Sequence, residues 1–394
     1  AGGVADGGGA PAPVASGAVR TPLRLVTAAV LAVVVTATPA AAGPEDETVG
    51  GARLGSPGVV VDRDAPPLPA GISASSFVVA DLDSGTVLAA KDAHGRYAPA
   101  STLKTLTAVT LIPILEPTRK VVPVFDDINV EGSKVGLVER VGYPISELFS
   151  ALMMVSGNDA ANVLASAAGG QEATAALMNE KARSLHAYDT RAVNPHGLDA
   201  EGQVSSAYDL ALIARAGMAD PAFAAYAAMK RGSVSAPGSA RIEMYTKNKL
   251  LKGYEGGLGI KNGFTSRARA SFVGAAERDG RRLVVTLMRA DPKVADEAIK
   301  LLDWGFAAAA VADPVGRLVD PEATAEEVVE ETAVQARSAP LAGGDGRGFP
   351  VTLAGLGLAA AALLCVRHRP APAAVRRPVP AQRSRPERVP AGRR

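Results

Sequence analysis

Strand patterns stand at the two ends of the central body of this chain, and the stretch between them is helical in period. Phe77–Ala80 runs into a turn at Asp83-Ser84-Gly85, and Thr86–Ala90 returns. Far along the chain, Ser271–Ala276, a turn at Asp279-Gly280 and Leu283–Met288 repeat the pattern. A lone two-stranded hairpin is marginal in water. The two hairpins are therefore expected to join in one antiparallel sheet, closed by the N- and C-terminal parts of the body. The insert between them reads as helices over 103–111, 145–155, 160–167, 173–185 and 208–216. After the second hairpin, Asp291 is placed to cap a helix with Pro292 at its first position. That helix runs to about Ala309 and buries Ala298, Leu301, Leu302 and Phe306. The class is α+β: an antiparallel sheet flanked by helices, with an inserted all-helical subdomain.

Outside this body, residues 1–19 are Gly, Ala and Pro with almost no charge, which predicts disorder. Arg20 and Arg24 precede an apolar run, Leu25–Thr36, and Pro39 and Ala40–Ala42 follow. A positive flank, a short apolar core and small residues at the end describe a secretory signal peptide over 1–42. Residues 43–69 are rich in Pro, Gly and acids and read as an extracytoplasmic tether. The catalytic body is then 70–312. Residues 313–348, acidic and then Gly-rich, read as a solvated stalk. Phe349–Val366 is an uncharged apolar run, long enough for a helix of roughly 27 Å, and reads as a transmembrane helix. Arg367, His368 and Arg369 follow it, and the basic tail 367–394 is expected in the cytoplasm, with the body outside on a single-pass anchor.

Much chemistry is excluded. Cys365 is the one cysteine, so no internal disulfide and no Cys-based zinc site is available. His94, His186, His196 and His368 do not pair at helical metal-ligand spacing. Most of the positive excess lies in the Arg-rich tail. Without it the body is mildly acidic, which gives nucleic-acid binding no support.

Three short elements remain. Ser101-Thr102-Leu103-Lys104 places an amine beside a hydroxyl, because residues three apart share a helix face. A serine is a poor nucleophile without a base in reach, and a lysine serves only with its pKa lowered by burial or a nearby cation. Amides at the start of that helix suit a developing oxyanion. Ser156-Gly157-Asn158, with Asp159, falls between two helical stretches and reads as a turn that offers a hydroxyl and an amide. Lys261-Asn262-Gly263-Phe264-Thr265 reads as a strand, with a cation and a hydroxyl suited to a carboxylate. Its glycine marks close backbone approach.

The trio resembles the S-x-x-K, S-x-N and K-T-G set of penicillin-binding proteins and serine β-lactamases. Over about 75–306 the chain is similar to the low-molecular-mass D-alanyl-D-alanine carboxypeptidases. Pro99-Ala100, Ala160-Ala161, Met178-Asn179, Asn194-Pro195-His196-Gly197-Leu198 and Trp304-Gly305-Phe306 carry the likeness beside the trio. The resemblance implies a β-lactamase/transpeptidase-like fold and a serine carboxypeptidase that removes the terminal D-alanine from peptidoglycan stem peptides. It implies that Ser101 forms an acyl-enzyme, that Lys104 is its base and that Ser156 completes the proton network. It further implies that Asn158 holds the peptide, that Lys261, Asn262, Gly263 and Thr265 line the carboxylate strand, and that the amides of Ser101 and Phe264 form the oxyanion hole. No cofactor and no metal are implied, and β-lactams are expected as covalent inhibitors. Asn262 stands where the family has threonine. Relatives also carry an arginine near the start of the last helix, for which Lys293 or Arg289 is nearest here. His196 is expected as a turn residue. The alternatives on this scaffold are a DD-endopeptidase or transpeptidase and a class A-like β-lactamase. The lactamase requires a positioned deacylating carboxylate, and no E-x-x-L-N-like segment follows Asn158; Asn194 to Leu198 occupies that stretch. A non-catalytic wall-binding protein is a third reading, opposed by the presence of Ser101 and Lys104.

Overall fold

The computed structural model describes residues 48–322. The elements run β1 (Val59–Val61), β2 (Ser76–Asp81), β3 (Thr86–Lys91), α1 (Lys104–Leu111), β4 (Lys120–Val121), α2 (Phe125–Ile128), β5 (Tyr143–Pro144), α3 (Ile145–Met154), α4 (Asn158–Ala167) and α5 (Gln171–Ser184). They continue with α6 (Ala207–Ala219), α7 (Pro221–Ala227), β6 (Arg231–Ser235), β7 (Arg241–Tyr245), α8 (Lys249–Gly253), β8 (Gly257–Thr265), β9 (Arg269–Arg278), β10 (Arg281–Ala290), α9 (Val294–Ala308) and β11 (Gly316–Arg317).

Both expected hairpins form, and they join as expected through β2 and β10 in an antiparallel sheet of order β1-β3-β2-β10-β9-β8. Its strands are buried on both faces because helices cover both. Leu283, Val285 and Leu287 of β10 point to α9, with Phe77 and Val79 of β2. The alternate residues Val284 and Met288, with Val78 and Ala80, point to the helical insert. Thr286 meets that insert through a 2.7 Å hydrogen bond to the Ala207 carbonyl. On the other face, α9 packs so closely that a Cβ on Gly305 would stand 2.9 Å from Val79.

Several expectations change. The described part of the tether, 48–69, belongs to the body. The three valines of β1 pair with β3, Leu54 is buried, and the Pro66 carbonyl accepts the Trp304 indole N–H at 2.8 Å. The start of the stalk packs as well: β11 covers the rest of the β3 edge, and Leu318 is fully buried. Pro, Gly and charge around these short apolar runs mask their strand signal. The insert is not all-helical, since β4 pairs β5 and β6 pairs β7 within it. Finally, α9 starts later than expected. The Asp291 carboxylate pairs with Arg269, and its carbonyl, not its side chain, receives the Val294 amide. Phe306 is only half-buried, beneath the Arg278 guanidinium.

No helix of the described residues is long and apolar enough to cross a membrane. The signal peptide, the first residues of the tether, most of the stalk, the apolar run Phe349–Val366 and the basic tail lie outside the described residues.

Candidate active site

The Ser101 segment is tighter than a regular helix start. Ala100–Leu103 is a 3-10 turn that leads into α1, and Ala100 takes a left-handed φ of 49°. Residues i and i+3 eclipse in such a turn. Lys104 therefore lies directly over Ser101, with Nζ 3.0 Å from Oγ. Ser101 keeps partial exposure while Thr102 and Leu103 are buried. The turn is pinned from two sides, because the Pro99 carbonyl accepts the hydroxyls of Thr102 at 2.6 Å and of Ser271, on β9, at 2.7 Å.

Lys104 is fully buried. Besides Ser101, its amine meets Asn158 Oδ1 at 2.7 Å and, at close range, the His196 carbonyl. Burial first, and then the Lys261 charge, hold its pKa well below the ordinary lysine value; Asp159 opposes them. A neutral amine has two N–H groups and one lone pair. Two of its three neighbours here are acceptors only, and the third is a hydroxyl. The neutral form thus satisfies Asn158 and His196 with its protons and turns its lone pair to Ser101.

The acceptors are themselves fixed. Asn158 Nδ2 donates to the Glu131 carbonyl at 2.7 Å, which orients the amide so that Oδ1 faces Lys104. The buried Asp159 carboxylate gathers the amides of Val135, Gly136 and Leu137, tying the loop over α4. The 194–198 turn sits on α1 through the Thr107 hydroxyl, which donates to the Pro195 carbonyl at 2.7 Å. Gly197 is required there: its φ is +84°, and a Cβ would stand 2.0 Å from the Ala100 carbonyl oxygen. Burial, then Lys104, push the His196 ring down to about 3, so the ring is neutral and its Nδ1 accepts the Leu198 amide. His196 is a turn residue, as expected, whose backbone does the work. Ser156 sits in the turn before α4 with a left-handed φ of 64°, and its buried Oγ has no hydrogen-bond partner.

Opposite lies β8, an edge strand of the sheet. A Cβ on Gly263 would meet the Ser101 amide nitrogen at 2.6 Å and Ser271 Oγ at 2.7 Å, so only glycine lets the strand approach Ser101. Lys261 is buried, and its amine donates to one group, the Asn262 carbonyl, at 2.8 Å. Burial, then Lys247, lower its pKa to about 7. The Asn262 side chain is half-buried and that of Phe264 is exposed. The Thr265 hydroxyl donates to Asp199 at 2.9 Å and accepts the Ala268 amide at 3.0 Å. Of the two basic candidates near the last helix, Lys293 lines a cavity beside Ser73 and Lys300, whereas Arg289 lines one beside Ala98 and Ala268.

The model of the D-alanyl-D-alanine carboxypeptidase family, peptidase S11, matches residues 62–292, more than half of the chain. The chain belongs to this family. It is therefore a serine D-Ala-D-Ala carboxypeptidase and a penicillin-binding protein. The carboxypeptidase DacB2 of Mycobacterium tuberculosis is 42% identical over 248 residues, 61% of this chain and 84% of the relative. DacD of Escherichia coli is 35% identical over 61% of this chain, and the match spans 64% of its own length. A crystal structure of a Mycobacterium tuberculosis D-alanyl-D-alanine carboxypeptidase superposes with a TM-score of 0.63 at 41% identity, covering 66% of this chain and 99% of that one. A Streptomyces DD-transpeptidase shares the fold, with a TM-score of 0.58 at 24% identity.

Sequence reading named Asp159 and Ser271 without giving them a part in the site, and missed Asp199, Lys247 and the His196 carbonyl. The last acts through backbone, which residue type does not announce. One further group, His94, Asp189 and Asp209, brings three potential metal-ligand atoms within 4.8 Å of one another. Its members already bond inward, His94 to Asp189 at 2.7 Å and to the Val49 carbonyl at 3.1 Å.

Proposed function

We propose that Ser101 is the nucleophile, Lys104 its base and the β8 edge the substrate platform for removal of the terminal D-alanine from peptidoglycan stem pentapeptides. The observation that carries this reading is the Lys104 amine, held by two fixed acceptors with its third direction 3.0 Å from Ser101 Oγ. The peptide lies along the free edge of β8 as an added strand. Its terminal carboxylate pairs with Lys261 and accepts the Thr265 hydroxyl, which turns its proton from Asp199, and Asn158 holds its amide. Lys104 takes the hydroxyl proton as Oγ attacks the penultimate carbonyl carbon. The oxyanion is met by the amides of Ser101 and Phe264. Lys104, now charged beside Lys261, passes its proton through the unpartnered Ser156 hydroxyl to the leaving nitrogen. Water then hydrolyses the ester. A β-lactam, whose carboxylate and strained amide resemble the substrate end, acylates the same oxygen.

The cell-surface setting is part of the proposal. The apolar runs Leu25–Thr36 and Phe349–Val366 and the arginines after the second support an extracytoplasmic body on a single-pass anchor. The test is D-alanine release from a pentapeptide ending in D-Ala-D-Ala. Release by the wild type and none by Ser101→Ala supports the assignment; equal release by both defeats it.

A further inference from the structure

A cavity of about 150 Å³ opens between the segment that leads to the nucleophile and the turn after β8. Arg96, Arg267 and Arg289 line it, with Tyr97, Ala98 and Ala268 between them, and no acidic residue contributes to its wall. Of the nearby carboxylates, Asp189 is paired with Arg96 and His94 and Asp291 with Arg269, while Asp92 and Asp199 accept hydroxyl protons from Tyr97 and Thr265 and keep their charge. Among the described residues, Arg267 and Arg289 have no ion-pair partner. Arg289 is also held in an unusual backbone state. Its φ is 55°, and it sits where the β10–β9 register shifts between Leu287 and Ala290. A bulge of this kind re-aims a side chain. Unpaired guanidinium groups around a small cavity are a site for a carboxylate, which they grip with paired N–H donors.

Position fixes which carboxylate. Ala268, in the cavity wall, donates its amide to Thr265 Oγ1 at 3.0 Å. The cavity wall is therefore hydrogen-bonded to Thr265, the residue read as part of the terminal-carboxylate site.

We infer that this cavity is a second anion subsite, which takes the side-chain carboxylate of an acidic D-residue in the leaving position. The inference rests on the proposed reading of Thr265 as part of the terminal-carboxylate site. It deepens that reading by adding a leaving group with two carboxylates as a second accepted class beside D-alanine. The chemistry is unchanged: the bond from the penultimate carbonyl carbon to the leaving nitrogen breaks, the Ser101 ester forms, the nitrogen takes the proton, and water restores the acid.

Hydrolysis of two acyl peptides, one ending D-Ala-D-Ala and one D-Ala-D-Glu, tests it in the intact protein. Wild type should cleave the D-Glu peptide with kcat/KM within about threefold of the D-Ala peptide. Losing one charge-assisted contact, Arg267→Ala should lower the D-Glu value about tenfold and the D-Ala value less than about twofold. Arg267→Glu should shift preference to a peptide ending D-Ala-D-Lys. Equal loss on both peptides in Arg267→Ala would mean that the cavity holds the terminal carboxylate, and no loss on either would mean that it holds nothing; both results overturn the inference. Wild type inert on D-Ala-D-Ala strikes the proposed function itself. Labelling of Ser101 by fluorescent penicillin at the wild-type rate confirms that the variants are folded.

Discussion

The two buried lysines of the cleft lie on opposite walls and are held in opposite ways. Lys104, on the helical wall, has three neighbours for its amine, two of which only accept. Lys261, on the strand wall, has one, a backbone carbonyl. Burial lowers both pKa values, but the remaining hydrogen-bonding capacity differs. Lys104 is complete as a neutral amine facing a hydroxyl. Lys261, with one carbonyl partner, has donors to spare for an anion when it is protonated. On the proposed reading, one wall serves proton transfer and the other charge recognition.

Replacing each lysine should separate these roles. Lys104→Met should lower kcat by about 10²–10⁴-fold, the range for losing a general base, with KM little changed. Lys261→Met should act mainly on KM, with kcat/KM down roughly 30- to 100-fold for loss of a charged contact to carboxylate. Steady-state kinetics on a D-Ala-D-Ala peptide checks both. If the two variants fail in the same parameter, the division of labour is wrong.

Stability should divide them too. The folded pKa of Lys261, about 7, lies below its unfolded value near 10.5, so between these limits the unfolded chain binds more protons. Stability from this group therefore rises with pH through that window, and its cost is full below about 7. Lys261→Met should stabilise the fold at neutral pH by about 2–4 kcal/mol. Lys104→Met should gain less, since it strands the Asn158 oxygen and the His196 carbonyl without their donor. Denaturant melts of the three proteins measure this.

The pH profile offers a finer probe. As the free enzyme passes pH 7, Lys261 loses its charge, so kcat/KM should fall on that alkaline limb. A bound carboxylate favours the ammonium, which should move the corresponding limb of kcat upward. Lys261→Arg should remove the limb. The smallest effect is expected for Asn262→Thr, which adds a hydroxyl to a half-buried position and should change kcat/KM by only about threefold, within one hydrogen bond.

The same contrast explains what the sequence made legible. The long hairpins and amphipathic helices have period enough to be read, and the reactive side chains have distinctive spacing. Short pieces do not: β1 and β11 owe their strand state to the waiting edge of β3, and β6–β7 alternates mostly polar and charged residues that look like loop. Within the cleft, Ser101, Lys104 and Lys261 were visible as residue types. The features that tune them came from distant chain: the His196 carbonyl, the Asp159 tie and the Ser271 pin exist only after folding.

The central claim is that Ser101 Oγ becomes a nucleophile because Lys104 takes its proton. Intact-mass measurement after brief exposure to benzylpenicillin, followed by peptide mapping, tests it directly. The wild type should gain one penicillin mass on the peptide that contains Ser101, and Lys104→Met should remain unmodified over the same interval. An adduct on any other residue, or equal labelling of the two proteins, would contradict the account.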